Sequence, residues 1–307
     1  MELTLKENCY LKRLEEPHIY DAGADELYLL DEDSFNRVLA LSEGVEDQEA
    51  ARLLEEAGLL QKYQRRDPVY LQGQSAAPSL RYLEVQITGR CDKACRHCYL
   101  GTPEERDMEI ERFRALLEEF SLVQGLKVMV SGGEPFCHPD FQEFSNLLHG
   151  FPLRSILITH GEWIDREVAQ WLDRCFDQVQ VSLDGMEAGH DLLRGKGSFA
   201  RATAGIRALV NTGVPVSVGT MVHGGNLDQF EAMSTLLKDM GIQEWAVDVP
   251  CPAGRWPLEE DRGKLREMSQ QLRYGYGGSF HGGSNGLACG SHLMTIDPDG
   301  RAARCGL

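Results

Sequence analysis

The chain has no long hydrophobic run, and this absence limits where the protein can reside. No stretch of its 307 residues approaches the roughly eighteen apolar residues that a membrane-spanning helix needs. The amino-terminal segment also lacks the apolar core of a signal peptide. The sequence therefore predicts a cytoplasmic protein with no membrane partner.

Positive charge is also scarce, which restricts the kinds of partner. The chain carries 31 Lys and Arg against 48 Asp and Glu, a formal net charge of -17 at pH 7. Such a surface repels nucleic acids and anionic membranes, so neither is expected as a partner, whereas a neutral or basic partner is readily accommodated. Between Glu15 and Gly58 the only basic residues are Arg37 and Arg52, and the usual interpretation of such a segment is a solvated acidic face.

Nine cysteines in a reducing compartment indicate metal ligation rather than disulfides. Cys91, Cys95 and Cys98 lie in CDKACRHC, a C-x-x-x-C-x-x-C spacing. Three thiolates on one short loop can bind three irons of a [4Fe-4S] cluster and leave the fourth iron open to another ligand. The alternatives are buried structural cysteines or a zinc loop, for which His97, between two of the thiols, is a poorly placed fourth ligand.

Strand and helix patterns alternate six times between residue 81 and about residue 250, which predicts βα units and a parallel sheet. The predicted strands are 82–87, 126–130, 155–159, 178–182, 214–221 and 243–249. In order, CDKACRHC, SGGEP (131–135), THG (159–161) and SLDG (182–185) follow the first four strands. Ligands of such sheets bind at the carboxyl ends of the strands, so these motifs predict one shared site.

These motifs resemble those of radical S-adenosylmethionine (AdoMet) enzymes, over roughly residues 81–250. The resemblance implies an α/β fold with a partial (β/α)6 barrel, and CDKACRHC resembles the cluster loop. In that family the open iron is chelated by the amino and carboxylate groups of AdoMet. SGGEP resembles the segment that holds the amino group, where Gly132 and Gly133 allow close backbone approach and Glu134 faces the ammonium.

The resemblance assigns further AdoMet contacts and a mechanism. His97 would pack on adenine, Thr159 would lie near the ribose, Ser182 and Arg194 would hold the carboxylate, and Val222 would touch adenine or belong to the core. His160 replaces the asparagine usual in that family, and Asp184 is expected to shape the turn before Gly185. The implied mechanism is reductive cleavage of AdoMet to a 5'-deoxyadenosyl radical, which takes a hydrogen atom from the substrate.

The carboxyl-terminal part of the chain resembles the start of a SPASM or twitch extension. Cys289 and Cys305 flank MTIDPDGRAA, which predicts a hairpin with DPDG at its turn. In that family such a hairpin supplies ligands to an auxiliary iron-sulfur cluster, and further cysteines follow. Because the sequence stops at Leu307, either the chain is truncated or the auxiliary site uses a cysteine from elsewhere, for which Cys251 is the candidate.

Residues 1–75 are expected to form a separate small module. The sequence predicts a strand at Tyr28 to Leu30, a helix capped by Ser34 and a second helix capped by Asp47, with residues 72–79 as a linker. The pattern resembles PqqD-like winged-helix modules, which bind the leader of ribosomally synthesised precursor peptides by adding it to a sheet edge. The resulting domains are 1–75, 81–250 and 251–307.

A radical AdoMet enzyme that modifies such a precursor peptide is therefore the predicted function, with a reductant such as flavodoxin or ferredoxin as a second partner. A protein substrate, as in sulfatase maturases, is one alternative, and a tetrapyrrole or another small molecule is a second. A non-catalytic iron-sulfur protein for electron transfer or scaffolding is a third. The SGGEP and SLDG motifs argue against this last alternative.

Overall fold

The computed structural model describes residues 3–62, 73, 75–249, 253–255, 268–277 and 292–304. The strands are β1 Leu3–Leu5, β2 Cys9–Arg13, β3 Pro17–Asp21, β4 Glu26–Leu29, β5 Leu60–Lys62, β6 Tyr82–Gln86, β7 Lys127–Ser131, β8 Arg154–Thr159, β9 Gln178–Ser182, β10 Val216–Met221, β11 Glu244–Asp248, β12 Leu293–Ile296 and β13 Ala302–Ala303. The α-helices are α1 Glu32–Ser42, α2 Gln48–Glu56, α3 Ile110–Leu122, α4 Phe141–Leu147, α5 Arg166–Cys175, α6 Glu187–Arg194, α7 Ser198–Val210 and α8 Phe230–Asp239. Three short 3-10 helices span Pro135–Cys137, Leu148–Gly150 and Gln270–Tyr274.

Eight strands form one largely parallel sheet in the order β11-β10-β9-β8-β7-β6-β12-β13. Strands β6 to β12 pair in parallel, and only β13 runs antiparallel, against β12. The six predicted strands are confirmed with small shifts at their ends. The largest shift is at β10, which starts at Val216 because Pro215 has no N–H to donate to a neighbouring strand.

The two faces of this sheet have different chemistry because side chains alternate along a strand. Leu83 and Val85 on β6, and Ile87 directly after it, are buried in the main apolar core with residues of α3 such as Phe113. Glu84 therefore points to the opposite face, where it lines a cavity. This alternation places a polar surface opposite the helices.

Near the amino terminus, β2, β3 and β4 form an antiparallel sheet, and β1 pairs with β5. The residues that cap the two helices test the sequence analysis. Asp47 caps α2 as predicted, accepting hydrogen bonds from the backbone N–H groups of Glu49 and Ala50. The prediction that Ser34 caps α1 is wrong: Asp31 is the N-cap, and its carboxylate accepts a 2.7 Å hydrogen bond from Ser34 N. A carboxylate three residues before a free N–H satisfies the helix end in the same way as a serine hydroxyl.

Residues 75–79 are held in place rather than forming the free linker that their composition suggests. Ser79 is fully buried, and both its N–H and its hydroxyl donate to the Glu15 carboxylate, at 2.6 and 3.0 Å. Arg81 also forms an ion pair with Glu15 at 2.9 Å. Glu15 therefore fixes the start of β6 to the amino-terminal strands.

The amino-terminal strands also contact the amino ends of the central strands. The buried Lys12 ammonium donates to the carbonyls of Gly125 and Pro152, at 2.6 and 2.9 Å. Asp25, in the turn between β3 and β4, pairs with Lys127 at the start of β7. Arg154, at the start of β8, donates to the carbonyls of that same turn.

The predicted carboxyl-terminal hairpin is present as β12 and β13. Gly300, at a φ of +83°, completes its turn and donates to the carbonyl of Asp297 at 2.9 Å. Cys251, Cys289 and Cys305 lie outside the described residues. Within the described ranges, no helix has the length and apolar character needed to cross a membrane.

Candidate active site

A cavity of about 340 Å³ opens at the carboxyl ends of the central strands, and the predicted motifs meet there. Its volume falls within the range of small-molecule sites. Ten of the predicted site residues line it: Cys91, Cys95, His97, Cys98, Gly132, Gly133, Glu134, Thr159, Ser182 and Arg194. Val222 does not line the cavity; it is fully buried and belongs to the main apolar core.

The three cysteines of the cluster loop form one wall of this cavity. Burial raises the pKa of Cys91 to about 12, although the N–H of Lys93, 3.4 Å from its sulfur, opposes the shift. Burial also raises the pKa of Cys95, and the charge of Arg194 acts in the opposite direction. Burial therefore disfavours the thiolate form of both groups, and a metal bound to them would favour it.

The donor set fits an iron-sulfur cluster better than a zinc ion. Among the described residues, no group of three or more His, Cys, Asp or Glu converges on a single metal ion, as a closed zinc site requires. A cubane distributes its thiolate ligands over separate irons and so does not need such convergence. His97 also makes a poor zinc ligand, because its Nε2 lies 3.3 Å from Arg194 and 3.7 Å from Asp184.

The two glycines of SGGEP are required by the backbone beneath the cluster loop. A Cβ on Gly132 would lie 2.5 Å from the Thr88 carbonyl oxygen, and one on Gly133 would lie 2.2 Å from that of Arg90. Gly133 N donates to Thr88 O and Glu134 N donates to Arg90 O, both at 2.8 Å. SGGEP therefore anchors the segment that leads into the cysteines, a role that the sequence analysis did not anticipate.

Glu134 is a buried carboxylate held by the THG segment. It accepts hydrogen bonds from the Thr159 hydroxyl at 2.8 Å and from His160 N at 3.0 Å. The His160 ring lies 3.4 Å from the same carboxylate. The Thr159 hydroxyl, which is predicted to lie near the ribose, therefore donates a hydrogen bond to Glu134, and the carboxylate is fixed in the cavity wall.

Asp184 makes contacts in the cavity wall that the sequence analysis did not anticipate. It is fully buried and pairs with Arg194, and its other carboxylate oxygen accepts from Met221 N at 2.8 Å. Burial alone would raise the pKa of Asp184, but Arg194 lowers it well below its usual value. Beyond the turn expected from the sequence, Asp184 fixes the guanidinium that faces the cavity. Two opposite charges ten positions apart in SLDGMEAGHDLLRG were the available signal.

In the same cavity wall, one ring nitrogen of His97 has no hydrogen-bond partner among the described residues. Burial lowers its pKa to about 4 although the charge of Asp184 opposes this shift, so the ring is neutral at pH 7. Its Nδ1 is buried and makes no hydrogen bond to any described residue. A buried polar atom without a partner costs free energy, so a bound ligand that supplies one would bind favourably here.

His160, which replaces the family's usual asparagine, supports the cluster loop from outside. Its Nε2 lies 3.0 Å from a carboxylate oxygen of Asp92, and the Trp163 indole donates to the other oxygen at 3.1 Å. Burial would lower the pKa of His160, but Glu134 and Asp92 together raise it above its usual value. In addition, the ammonium of Lys93 forms an ion pair with Glu162 at 2.6 Å. These contacts hold Asp92 and Lys93, the two residues directly after Cys91.

A larger and more open groove of about 810 Å³ lies on the outer surface between α5 and α7. Its wall includes Arg166, Arg174 and Arg207 but none of the four sequence motifs. The inner cavity is the better candidate active site, because the thiols and the perturbed charges converge there.

Known proteins resemble this chain over its central part. The PqqA peptide cyclase of Gluconobacter oxydans is 32% identical over 165 residues, which are 52% of this chain and 46% of the cyclase. The AdoMet-dependent heme synthase of Oleidesulfovibrio alaskensis is 28% identical over 188 residues, 59% of this chain and 48% of the synthase. The chain thus spans about half the length of these curated relatives.

The fold resembles that of SuiB from Streptococcus suis, crystallised with its precursor peptide SuiA. The TM-score is 0.74 at 14% identity, and the match covers 99% of this chain and 83% of SuiB. In addition, residues 85–237 match the profile of the Radical SAM superfamily. This segment contains the three clustered cysteines, SGGEP, THG and SLDG, and the chain therefore belongs to the radical SAM superfamily.

Proposed function

We propose that the protein is a radical AdoMet enzyme that removes hydrogen from a ribosomally synthesised precursor peptide. The observation that carries the proposal is the convergence of a three-cysteine loop and the SGGEP anchor on one cavity. Cys91, Cys95 and Cys98 would bind three irons of a [4Fe-4S] cluster. A cluster held there would supply the one-electron chemistry that reductive cleavage of AdoMet needs.

The protein's own side chains would position AdoMet and exclude water. The buried Glu134 carboxylate is fixed by Thr159 and His160, which suits it to orient an ammonium group. The Arg194 guanidinium, held by Asp184, matches a carboxylate, with Ser182 beside it on the same wall. His97 offers the adenine a neutral ring whose Nδ1 has no hydrogen-bond partner in the described part of the chain. Val222 lies in the core and would support this wall from behind.

A precursor peptide is the preferred substrate because both the fold and the relatives point to peptide chemistry. SuiB binds its precursor peptide, and the relatives include a peptide cyclase. Strand β4 lies at the edge of its sheet, with Leu27 and Leu29 exposed by 37% and 62%. An extended leader could pair with such an edge, and the acidic surface would favour a basic leader.

The domain assignments follow from the same proposal. Residues 1–75 would be the PqqD-like winged-helix module, residues 81–250 the partial (β/α)6 barrel, and residues 251–307 a SPASM- or twitch-like segment. An auxiliary cluster would use Cys289 and Cys305, with Cys251 as a further ligand. The reductant would be a flavodoxin or ferredoxin, and the location the cytoplasm, because free thiols and a reduced cluster need a reducing compartment.

Tetrapyrrole modification is the second candidate, and the likeness to an AdoMet-dependent heme synthase is the observation that favours it. The two can be separated by coexpressing the protein with short open reading frames from its genomic neighbourhood and measuring peptide masses. Loss of hydrogen mass from one such peptide supports peptide maturation. An unchanged peptide set, together with conversion of an added porphyrin, would support the alternative.

The enzymatic proposal itself is tested by incubating the reconstituted, dithionite-reduced protein with AdoMet. Formation of 5'-deoxyadenosine is expected, and its absence in a preparation with an intact cluster would contradict the proposal and favour a scaffold. Iron and sulfide analysis of a Cys289→Ala, Cys305→Ala double variant tests the auxiliary cluster. Lower iron than in the unmutated protein supports that cluster, and unchanged iron dismisses it.

A further inference from the structure

Glu84 is a buried carboxylate inside the cavity that the proposed cofactor contacts do not use. It lies in the middle of β6, with 8% of its surface exposed, and lines the cavity wall. One carboxylate oxygen accepts from the Ser131 hydroxyl at 2.7 Å, and the other accepts from Thr295 at 3.3 Å. A carboxylate has about four acceptor positions, so two hydroxyl groups leave it partly unsatisfied.

Three buried carboxylates near the carboxyl ends of the central strands have cationic or imidazole partners. Asp184 pairs with Arg194, Glu162 with Lys93, and Glu134 lies 3.4 Å from the His160 ring. In the described part of the chain, Glu84 has no Lys, Arg or His nitrogen within 4.0 Å.

Two of the described cations of the cavity wall already have carboxylate partners, because Lys93 and Arg194 form the pairs named above. The third, Arg255, is held by its backbone N–H, which donates to the Cys98 carbonyl at 2.9 Å, and its Nε makes no hydrogen bond to a described residue. A buried carboxylate is costly unless a cation or several donors compensate it, so the wall at Glu84 lacks a positive group.

We propose that Glu84 binds a cationic side chain, lysine or arginine, of the substrate. This inference rests on the proposed function and specifies the substrate class of the same cavity. An ammonium or guanidinium supplies the missing charge and several donors, and it can fill the acceptor positions that Ser131 and Thr295 leave open. The net charge of -17 acts in the same direction, because it attracts a basic peptide.

The experiment measures binding without turnover, so its outcome is independent of radical chemistry. The reconstituted, unreduced protein with bound AdoMet is titrated with Nα-acetyl-lysine N-methylamide and with its neutral norleucine analogue, and binding is followed by saturation-transfer NMR. We expect the lysine compound to bind at least about tenfold more tightly than the norleucine compound. Glu84→Gln should abolish this preference while keeping a similar side-chain shape.

Glu118→Gln is the matched control, because it removes the same charge at an exposed position on α3, away from the cavity. If the preference reflects only the net charge of the protein, Glu118→Gln will reduce it as much as Glu84→Gln, and the inference fails. It also fails if the unmutated protein shows no preference, if Glu84→Gln retains it, or if Glu84→Gln weakens AdoMet binding. The unfolding midpoint of each variant verifies that the fold is intact.

Absence of 5'-deoxyadenosine from the reduced protein would instead contradict the proposed function. A lysine preference that depends on Glu84 would still be measurable in that case. The two failures are therefore distinguishable.

Discussion

The carboxyl and amino ends of the central strands are both rich in polar contacts, but the contacts differ in kind. At the carboxyl ends, Glu134, Asp184 and the three thiols are arranged around an open cavity. At the amino ends, Lys12 and Arg154 bind backbone carbonyls and join the sheet to the amino-terminal strands. The comparison separates groups that are fixed so that a ligand can bind from groups that hold the fold together.

The largest expected effect comes from removing one thiol at the carboxyl ends. Cys95→Ala should abolish cluster binding and the formation of 5'-deoxyadenosine, because a cubane held by three cysteines has no spare ligand. Cys175→Ala, in the buried face of α5, should keep both properties. Iron analysis of the two reconstituted variants checks this, and full iron content in Cys95→Ala would contradict the assigned ligand.

The next largest effect is expected from breaking the pair at the cavity wall. Arg194→Met leaves the buried Asp184 carboxylate without its cation and should lower the free energy of unfolding by about 3 kcal/mol. Arg114→Met removes an exposed ion pair with Glu111 and should cost less than about 1 kcal/mol. Chemical denaturation of both variants measures the difference, and equal losses would show that Asp184 does not depend on Arg194.

Gly133→Ala tests whether SGGEP anchors the cluster loop. The new Cβ would meet the Arg90 carbonyl oxygen at 2.2 Å, so the backbone must move, at a cost of about 1 to 3 kcal/mol. We also expect weaker AdoMet binding, measured by calorimetry on the reconstituted protein. Gly150→Ala, where no atom lies within 4 Å of the added carbon, is the control. Unchanged stability and affinity in Gly133→Ala would refute the anchor.

The smallest effect concerns how the free energy of unfolding depends on pH through Lys12, at the amino ends of the central strands. Burial lowers the pKa of Lys12 to about 7 from 10.5, so between these values the unfolded chain binds more protons than the folded protein. The free energy of unfolding should therefore rise with pH in this window, by up to about 1.4 kcal/mol per unit, and should not depend on Lys12 protonation below pH 7, where the side chain is protonated in both states.

Lys12→Met should remove this pH-dependent contribution. The measurement is the difference in unfolding free energy between the unmutated protein and the variant, from pH 7 to about 9.5. Lys196→Met changes an exposed side chain and should leave the slope as it is. A difference between the unmutated protein and Lys12→Met that stays constant with pH would contradict the lowered pKa.

The sequence predicted which side chains meet at the carboxyl ends of the strands, because these side chains follow strands whose apolar residues alternate regularly. Cys91, Gly132, Thr159 and Ser182 each lie at or just after the end of such a strand, so a parallel sheet brings them together. The six strands were predicted for the same reason. Only their ends differ from the prediction, because local hydrogen bonding determines where a strand begins and ends.

The contacts at the amino ends of the strands were not predicted, because they join residues that are remote in the sequence. Lys12 and its acceptor Gly125 are 113 positions apart, and no local pattern indicates that they meet. The role of Asp184 was missed for a related reason, since its burial and its pairing with Arg194 depend on how α6 packs. Asp31 and Ser34 lie within one turn, and both residue types cap helices, so the local sequence does not determine which of them is the N-cap.

The most direct test is metal analysis of protein reconstituted anaerobically with iron and sulfide, followed by reduction in the presence of AdoMet. We predict a brown protein that contains at least one [4Fe-4S] cluster and releases 5'-deoxyadenosine. A colourless protein, or one that retains zinc instead of iron at Cys91, Cys95 and Cys98, would contradict the account.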